Sequence, residues 1–246
     1  MTLQVNEIFG PTVQGEGAAS GRHCLFLRMA DCNLRCTWCD TAYTWAFNAE
    51  LASKLEVPII HDKAANRKTM QVDEVISELR KLWDIATWPT MLVISGGEPM
   101  MQQRDLLPLI QTLTGWGDSI HIETAATITP TLPFDRHVAQ YNVSPKLKHS
   151  GNIINKRRRW ETLEYFAQSP KAWFKFVVRS TEDFPEVDEI VRVAGIDTNR
   201  VMVMPEGTSV AQNVDTARRI VDQAIARGYG LSFRTHILLW SDTRGR

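Results

Sequence analysis

The feature that most constrains this chain is where its cysteines stand. All four, Cys24, Cys32, Cys36 and Cys39, lie near the N-terminus of a 246-residue chain, and none follows position 39. A disulfide framework spreads its crosslinks, because linking distant segments constrains the unfolded state most. Crowding the cysteines into one stretch predicts a metal site in a reducing compartment instead. Cys32, Cys36 and Cys39 form a C-x3-C-x2-C loop. Three thiolates on so tight a loop can cap three irons of a [4Fe–4S] cubane, which ordinarily takes four cysteines. The missing ligand leaves one iron open to a chelating small molecule. Zinc is the alternative, with Cys24 or His23 as a fourth ligand closing a tetrahedral site. Cys24 sits in a β-forming run and reads as a core residue, since unpaired cysteine is commonly buried.

Charge adds exclusions. Twenty-eight basic residues balance twenty-eight acidic ones. Zero formal charge gives no general attraction for nucleic acid or an anionic membrane. The one basic run, Lys156-Arg157-Arg158-Arg159, reads as the solvated face of a helix start. No apolar run reaches the length of a membrane span, and Met1-Thr2-Leu3-Gln4-Val5-Asn6-Glu7 lacks the pattern of a signal peptide. A cytoplasmic protein is expected, folded as a single domain over residues 1–246.

After the cysteines, β-forming and amphipathic runs alternate. Apolar β-formers occupy 23–29, 91–95, 120–123, 138–143, 173–178, 201–204 and 231–233. Val72, Val75, Ile76, Leu79, Leu82 and Trp83 share one helical face, as do Val210, Val214, Ala217, Val221, Ala224 and Ile225. Gly228 supplies a stop for the second helix, and Ser180 an N-cap for a helix carrying Phe184, Val187, Ile190 and Val191. This order predicts an α/β fold with a parallel sheet and helices outside it. Such sheets place ligands at the carboxyl ends of their strands. Residues 45–67 are the least regular part, expected to be an insertion, a lid or a long loop.

The strand ends carry the remaining signals. Val93-Ile94-Ser95-Gly96-Gly97-Glu98-Pro99 runs a strand into two glycines, whose backbone can approach a ligand closely. Glu123-Thr124, Ser144-Pro145-Lys146 and Met204-Pro205-Glu206-Gly207 end later strands. Serine and lysine there can donate to a carboxylate or a ribose hydroxyl.

The C-x3-C-x2-C loop, joined to Gly-Gly-Glu-Pro after a downstream strand, resembles the radical S-adenosylmethionine superfamily. Glu7-Ile8-Phe9-Gly10-Pro11-Thr12-Val13-Gln14-Gly15-Glu16-Gly17 narrows the resemblance to the 7-carboxy-7-deazaguanine synthases. It extends through Phe26-Leu27-Arg28, Asp40-Thr41, the later strand ends and the closing stretch from His236 to Trp240. Ala125-Ala126 departs from the Asn-Gly or Gln-Gly that often follows Glu-Thr in that family.

The resemblance implies an incomplete (β/α) barrel with parallel strands. It also implies an activity, the ring contraction of 6-carboxy-5,6,7,8-tetrahydropterin to 7-carboxy-7-deazaguanine with loss of ammonia. A 5′-deoxyadenosyl radical would take hydrogen from the carbon bearing the substrate carboxylate and be regenerated. Cys32, Cys36 and Cys39 would hold the cluster. Trp38, Gly96, Gly97, Glu98, Glu123, Ser144, Pro145, Lys146, Met204, Pro205 and Glu206 would bind S-adenosylmethionine. Val13, Gln14, Gly15, Glu16, Arg28, Ser95 and His236 would bind the pterin. The Thr41 hydroxyl would be the one direct protein ligand of a magnesium ion holding the substrate carboxylate. An external electron donor such as flavodoxin and a homodimer are further implications.

Two alternatives stand beside this. Another short radical enzyme, such as a glycyl-radical-enzyme activase, would carry a protein-docking face and often extra cluster cysteines, yet no cysteine follows position 39. A non-catalytic iron–sulfur or zinc protein would show a closed four-ligand site.

Overall fold

The structure, a computed structural model, describes residues 1–83 and 91–245. Its strands are β1 Thr2–Val13, β2 His23–Met29, β3 Lys68–Gln71, β4 Met91–Gly96, β5 Ser119–Thr124, β6 Gln140–Val143, β7 Ala172–Val178, β8 Val201–Pro205 and β9 Gly230–Leu231. The longer helices are α1 Val72–Trp83, α2 Gln103–Gly115, α3 Trp160–Gln168, α4 Phe184–Ala194, α5 Val210–Ala226 and α6 Thr235–Trp240.

All strands join one sheet in the order β3-β1-β2-β4-β5-β6-β7-β8-β9. From β2 to β9 every pairing is parallel. The expectation of a parallel sheet is corrected at one edge, where β1 runs antiparallel to both β2 and β3. The turn between β1 and β2 is too short for the crossover that a parallel pair requires. The sheet curves until its two ends approach one another. The Gly17 N–H donates to Ser232 Oγ at 2.8 Å, and the Thr235 N–H donates to the Gly15 carbonyl at 2.8 Å. Contacts between the β1–β2 connection and the segment after β9 thus stand in for strand pairing, and the barrel is incomplete.

Side-chain alternation sorts each strand between two faces. Leu25, Leu27 and Met29 of β2, Leu92 and Ile94 of β4, and Phe174, Phe176 and Val178 of β7 point outward into one large apolar core shared with the helices. Burying each such side chain contributes about 1.5–3 kcal/mol. The intervening residues point into the barrel. At its floor Cys24, Met91, Val93 and Ala19 make a small apolar plug. Above it stand Glu123, Asn142 and Lys175, and above those Arg28, Ser95, Val177 and Met204 at the strand ends.

The helices follow the sequence periodicity. In α1, Val75 and Leu79 are buried, with Val72, Ile76 and Leu82 packed against the core; the Trp83 side chain lies outside the described residues. Ser209 caps α5 through a reciprocal pair with Gln212, and Gly228 follows the helix at φ +70°. Ser180 makes a capping box with Asp183, but over a short 3-10 turn, Thr181–Asp183, that leads into α4. The basic run meets expectation at Lys156 and Arg159, which are exposed, and departs from it at its centre. Arg157 and Arg158 are not solvated but nearly buried, both paired with Glu186, and Arg158 also reaches Glu189 at 2.7 Å. Their carboxylate partners lie on α4, and pairing across two elements offsets the burial of the charges.

Residues 45–67 form a flap that is packed around residues 45–55 and exposed over residues 56–60. Asn48 caps a short helix at Ala49–Ala52 and Asp62 caps another at Lys63–Asn66. Trp45, Ala46 and Leu55 bury themselves with Ala42 against Cys32 and Cys39. The segment therefore backs the cysteine loop.

Candidate active site

The carboxyl ends of the strands open into one cavity of about 790 Å³. Its wall includes Cys32, Cys36, Trp38, Cys39 and Thr41 from the cysteine loop, and Ser95, Gly96 and Gly97 from the turn after β4. Ser144 and Lys146 follow β6, and Met204, Pro205 and Glu206 end β8. Val13, Gln14, Gly15 and Glu16 after β1, Arg28 of β2, Glu123 of β5 and His236 of α6 complete the gathering. Glu98 and Pro145 are not on the wall.

Each thiol of the loop has its own N–H donor. The Leu34 amide donates to Cys32 Sγ at 3.4 Å, the Asn152 side-chain amide to Cys36 Sγ at 3.3 Å, and the Trp45 indole to Cys39 Sγ at 3.3 Å. Such donors stabilise sulfur that carries extra negative charge, and they tune iron–sulfur potentials. Burial pushes the free thiols up, Cys36 to about 11 against the pull of Lys146. Metal coordination is what deprotonates such groups. Cys24 stands apart at the barrel floor, 1% exposed, with burial pushing its thiol to about 12. Among the described residues no three His, Cys, Asp or Glu side chains are arranged to hold a single metal ion. The donor set fits a three-thiolate cluster, and among the described residues it lacks the fourth ligand of a structural zinc site.

The two glycines have a physical cause beyond ligand approach. Gly96 adopts φ +125°, and a Cβ there would fall 2.2 Å from the Met29 carbonyl oxygen. A Cβ on Gly97 would fall 1.9 Å from the Asp31 carbonyl oxygen. The pair is required because the turn lies directly on the backbone entering the cysteine loop. The Gly97 N–H donates to the Met29 carbonyl at 3.1 Å, and the Glu98 N–H to that of Asp31 at 2.9 Å. The Glu98 side chain turns inward, accepting from Met100 N at 3.1 Å, Thr124 Oγ1 at 2.9 Å and Ala125 N at 2.8 Å. It clamps the ends of β4 and β5 together. Burial raises its pKa despite those three donors.

Arg28 sits between the rings of Phe9 and Tyr43, 5.5 and 5.9 Å from their centroids. Its Nε donates to Glu7 Oε1 at 2.7 Å, leaving the guanidinium's outer nitrogens for an anionic ligand. Thr41 Oγ1 is 3.6 Å from Cys39 Sγ. Lys146 donates to Ser144 Oγ at 2.8 Å and lies 5.9 Å from the centre of the Trp38 ring.

A buried polar network crosses the cavity floor. Lys175 Nζ donates to Glu16 Oε2 at 2.5 Å and to Glu123 Oε2 at 3.3 Å. Arg234 donates through Nε to Glu16 Oε1 at 3.0 Å and through Nη2 to Asp40 Oδ2 at 2.5 Å. Burial opposes ionisation of Glu16, but Lys175 and Arg234 outweigh it and hold the carboxyl well below the usual carboxylate range. His236 Nε2 stands 3.9 Å from Glu16 Oε1. A Cβ on Gly15 would meet the His236 ring at 2.1 Å, so a bare backbone is needed in the Gln-Gly-Glu turn.

Sequence reasoning missed Lys175, Arg234, Asn142 and Asn152. Lys175 carried one legible signal, a lone charge between Phe174 and Phe176 in an otherwise apolar strand. For the others nothing local distinguishes a site residue from a surface one.

Comparison with known proteins adds independent findings. The 4Fe-4S single cluster domain family matches residues 13–130. The 7-carboxy-7-deazaguanine synthase of Pyrobaculum aerophilum is 36% identical over 99% of this chain and 97% of its own length. That of Escherichia coli K12 is 31% identical over 96% of this chain and 97% of its own. The crystal structure of QueE from Escherichia coli superposes with a TM-score of 0.69 at 29% identity, covering 96% of this chain and 95% of that one. Identity at this level over almost the full length of both partners, on a shared fold, establishes that the chain belongs to the 7-carboxy-7-deazaguanine synthase family.

Proposed function

We propose that the protein is a radical S-adenosylmethionine lyase that converts 6-carboxy-5,6,7,8-tetrahydropterin to 7-carboxy-7-deazaguanine and ammonia, in 7-deazapurine (queuosine-type) biosynthesis. The observation that carries this reading is the single cavity onto which the three-cysteine loop, the Gly-Gly turn and the Gln-Gly-Glu turn all open. When bound and reduced, a [4Fe–4S] cluster with S-adenosylmethionine supplies the 5′-deoxyadenosyl radical that begins the ring contraction.

The chain's own residues bind and orient. Cys32, Cys36 and Cys39 would hold the cluster, with Trp45 and Leu55 of the flap of residues 45–67 packed behind them against water. Trp38, Gly96, Gly97, Ser144 and Lys146 take S-adenosylmethionine; the Lys146 ammonium and Ser144 hydroxyl suit a carboxylate or ribose. Glu98 contributes from behind by fixing the turn. Arg28 meets the substrate carboxylate, and Gln14, Glu16 and His236 meet the pterin ring. A magnesium ion on the Thr41 hydroxyl fits that atom's exposure to the cavity, and magnesium's habit of keeping most of its shell for water and substrate. Close placement of the substrate is worth a large share of such a rate.

An external electron donor such as flavodoxin, a homodimer, a cytoplasmic location and one continuous domain belong to the same proposal. No helix among the described residues is long and apolar enough to cross a membrane.

The test is anaerobic reconstitution with iron and sulfide, followed by turnover of the tetrahydropterin with S-adenosylmethionine, reductant and magnesium. Formation of 7-carboxy-7-deazaguanine with ammonia is expected. Cleavage of S-adenosylmethionine without that product would overturn the substrate.

A further inference from the structure

Lys175 belongs to none of the sequence motifs, yet it is the most deeply placed cation beside the cavity, 3% exposed on the inward face of β7. Its ammonium bridges two carboxylates that come from different strand ends, Glu16 after β1 and Glu123 near the end of β5. The remaining carboxylate oxygens are also held. Glu16 Oε1 accepts from Arg234 Nε at 3.0 Å. Glu123 Oε1 accepts from Gln14 Nε2 and Asn142 Nδ2, both at 3.0 Å.

We propose that Lys175 is a positioning residue for the substrate, holding Glu16 and Glu123 side by side as one acceptor pair for the adjacent N–H and NH2 donors of a 2-aminopyrimidinone ring. This rests on the pterin reading above. It also moves Glu123 from the S-adenosylmethionine side to the substrate side, where its hydrogen-bond partners lie.

The physical argument is electrostatic. Two carboxylates facing one site repel, and with nothing between them one takes a proton. A protonated carboxyl presents a donor where the ring also presents donors, so the match is lost. A compact ammonium with three rotatable donors can satisfy both groups at once. The other groups facing the pair are Arg234, already shared with Asp40, His236 at 3.9 Å from Glu16, the Cys24 thiol, which feels the Glu123 charge, and the neutral amides of Gln14 and Asn142. None of them bridges the two carboxylates. Among the described residues Lys175 alone does so.

The test uses the full chain, reconstituted with its cluster. The dissociation constant for the tetrahydropterin is measured without reductant, so that no turnover occurs, at about pH 6.5 and about pH 8.5. Lys175→Met is expected to weaken binding by about tenfold or more, the cost of losing a charge-assisted hydrogen bond. Iron content and S-adenosylmethionine affinity should stay within about twofold of wild type. The loss should be larger at the lower pH, where two carboxylates left without their bridging ammonium relieve their repulsion by sharing a proton, whereas wild-type affinity should stay flat. The charge-balanced variant Lys175→Met/Glu123→Gln leaves no unpaired buried carboxylate and serves if the single variant does not fold. It should bind about tenfold more weakly with a flatter pH response. Affinity within about twofold of wild type at both pH values, in whichever variant loads its cluster, would overturn the proposal. So would equal loss of pterin and S-adenosylmethionine affinity, which marks a purely structural role. Failure of the wild-type protein to convert the tetrahydropterin would remove the substrate reading and this proposal together, and that control separates the two failures.

Discussion

The Asn152 side-chain amide donates to Cys36 Sγ at 3.3 Å across 116 residues of sequence. Asn152 is held by its own backbone turn, its amide also reaching Ser150, while its Oδ1 accepts from Arg35 N at 2.8 Å. The side chain thus ties the loop after β6 to both the backbone and the sulfur of the cysteine loop. An N–H donor favours the more electron-rich state of a cluster thiolate, so removing it favours oxidation. Asn152→Ala is expected to keep its iron while its cluster potential falls by tens of millivolts, about 40 mV for a hydrogen bond worth about 1 kcal/mol. Redox titration followed by electron paramagnetic resonance measures this. An unchanged potential would mean that the donor is replaced by water.

Gly97→Ala carries a structural prediction. Its Cβ would lie 1.9 Å from the Asp31 carbonyl oxygen, a backbone atom that cannot rotate away. The cysteine loop has to shift, so iron retained after reconstitution should drop severalfold and stability should fall by roughly 1–3 kcal/mol. Gly115→Ala is the control: nothing lies within 4 Å of its Cβ and it ends α2. That change should be neutral or stabilise by up to about 1 kcal/mol. Iron analysis and urea unfolding of both variants check the contrast. Full iron loading in Gly97→Ala would refute the steric account.

The parts legible in the sequence were those whose determinants are local. β2 was readable as 23–29 and β4 nearly to its end, because each contains an unbroken apolar run, 24–27 and 91–94, of the kind a largely buried parallel strand gives. The cysteine loop was readable because its ligands sit within one turn of chain. β1 was not, since its register shifts twice between Val5 and Thr12 and it mixes polar with apolar residues. Arg157 and Arg158 were misread because Glu186 lies 28 or 29 residues away and only folding brings it near. Lys175 and Glu16 are 159 residues apart, so no local pattern could pair them. Curvature of the sheet, rather than any motif, makes that contact.

Thr41→Ala should keep the cluster while losing magnesium dependence and about a hundredfold in turnover, the scale expected when a reacting group is slightly misplaced. The Thr41 hydroxyl opens on the cavity and is 3.6 Å from Cys39 Sγ, so it has no strong protein partner to lose. Thr41→Ser keeps the hydroxyl and should retain activity. Product formation with and without magnesium, at equal iron content, decides it. Equal loss in both variants would assign the residue to methyl packing, and a fully active, magnesium-responsive Thr41→Ala would place the metal elsewhere.

His121 predicts how the fold responds to acid. It sits on the inward face of β5 two residues before Glu123, 2% exposed, with Nε2 at 3.2 Å from Ser119 Oγ. Burial, with the Arg22 charge adding to it, lowers its pKa from 6.5 to about 4. A histidine depressed in the folded state contributes stability that is fully present above its unfolded pKa. That contribution is lost as pH falls from the unfolded value toward the folded one, because the unfolded chain binds the proton first. Between pH 7 and about pH 5 the loss from this one ring is about 2 kcal/mol. His121→Leu removes the titration and should therefore lose about 2 kcal/mol less over the same interval, whatever it does to stability at pH 7. The carboxylates titrate in both proteins, so the difference between the two acid losses isolates the ring. Urea unfolding of the cluster-free proteins at the two pH values measures it. Equal acid loss in wild type and variant would show that the ring accepts its proton without unfolding, and would reassign the acid response to the carboxylate network above it.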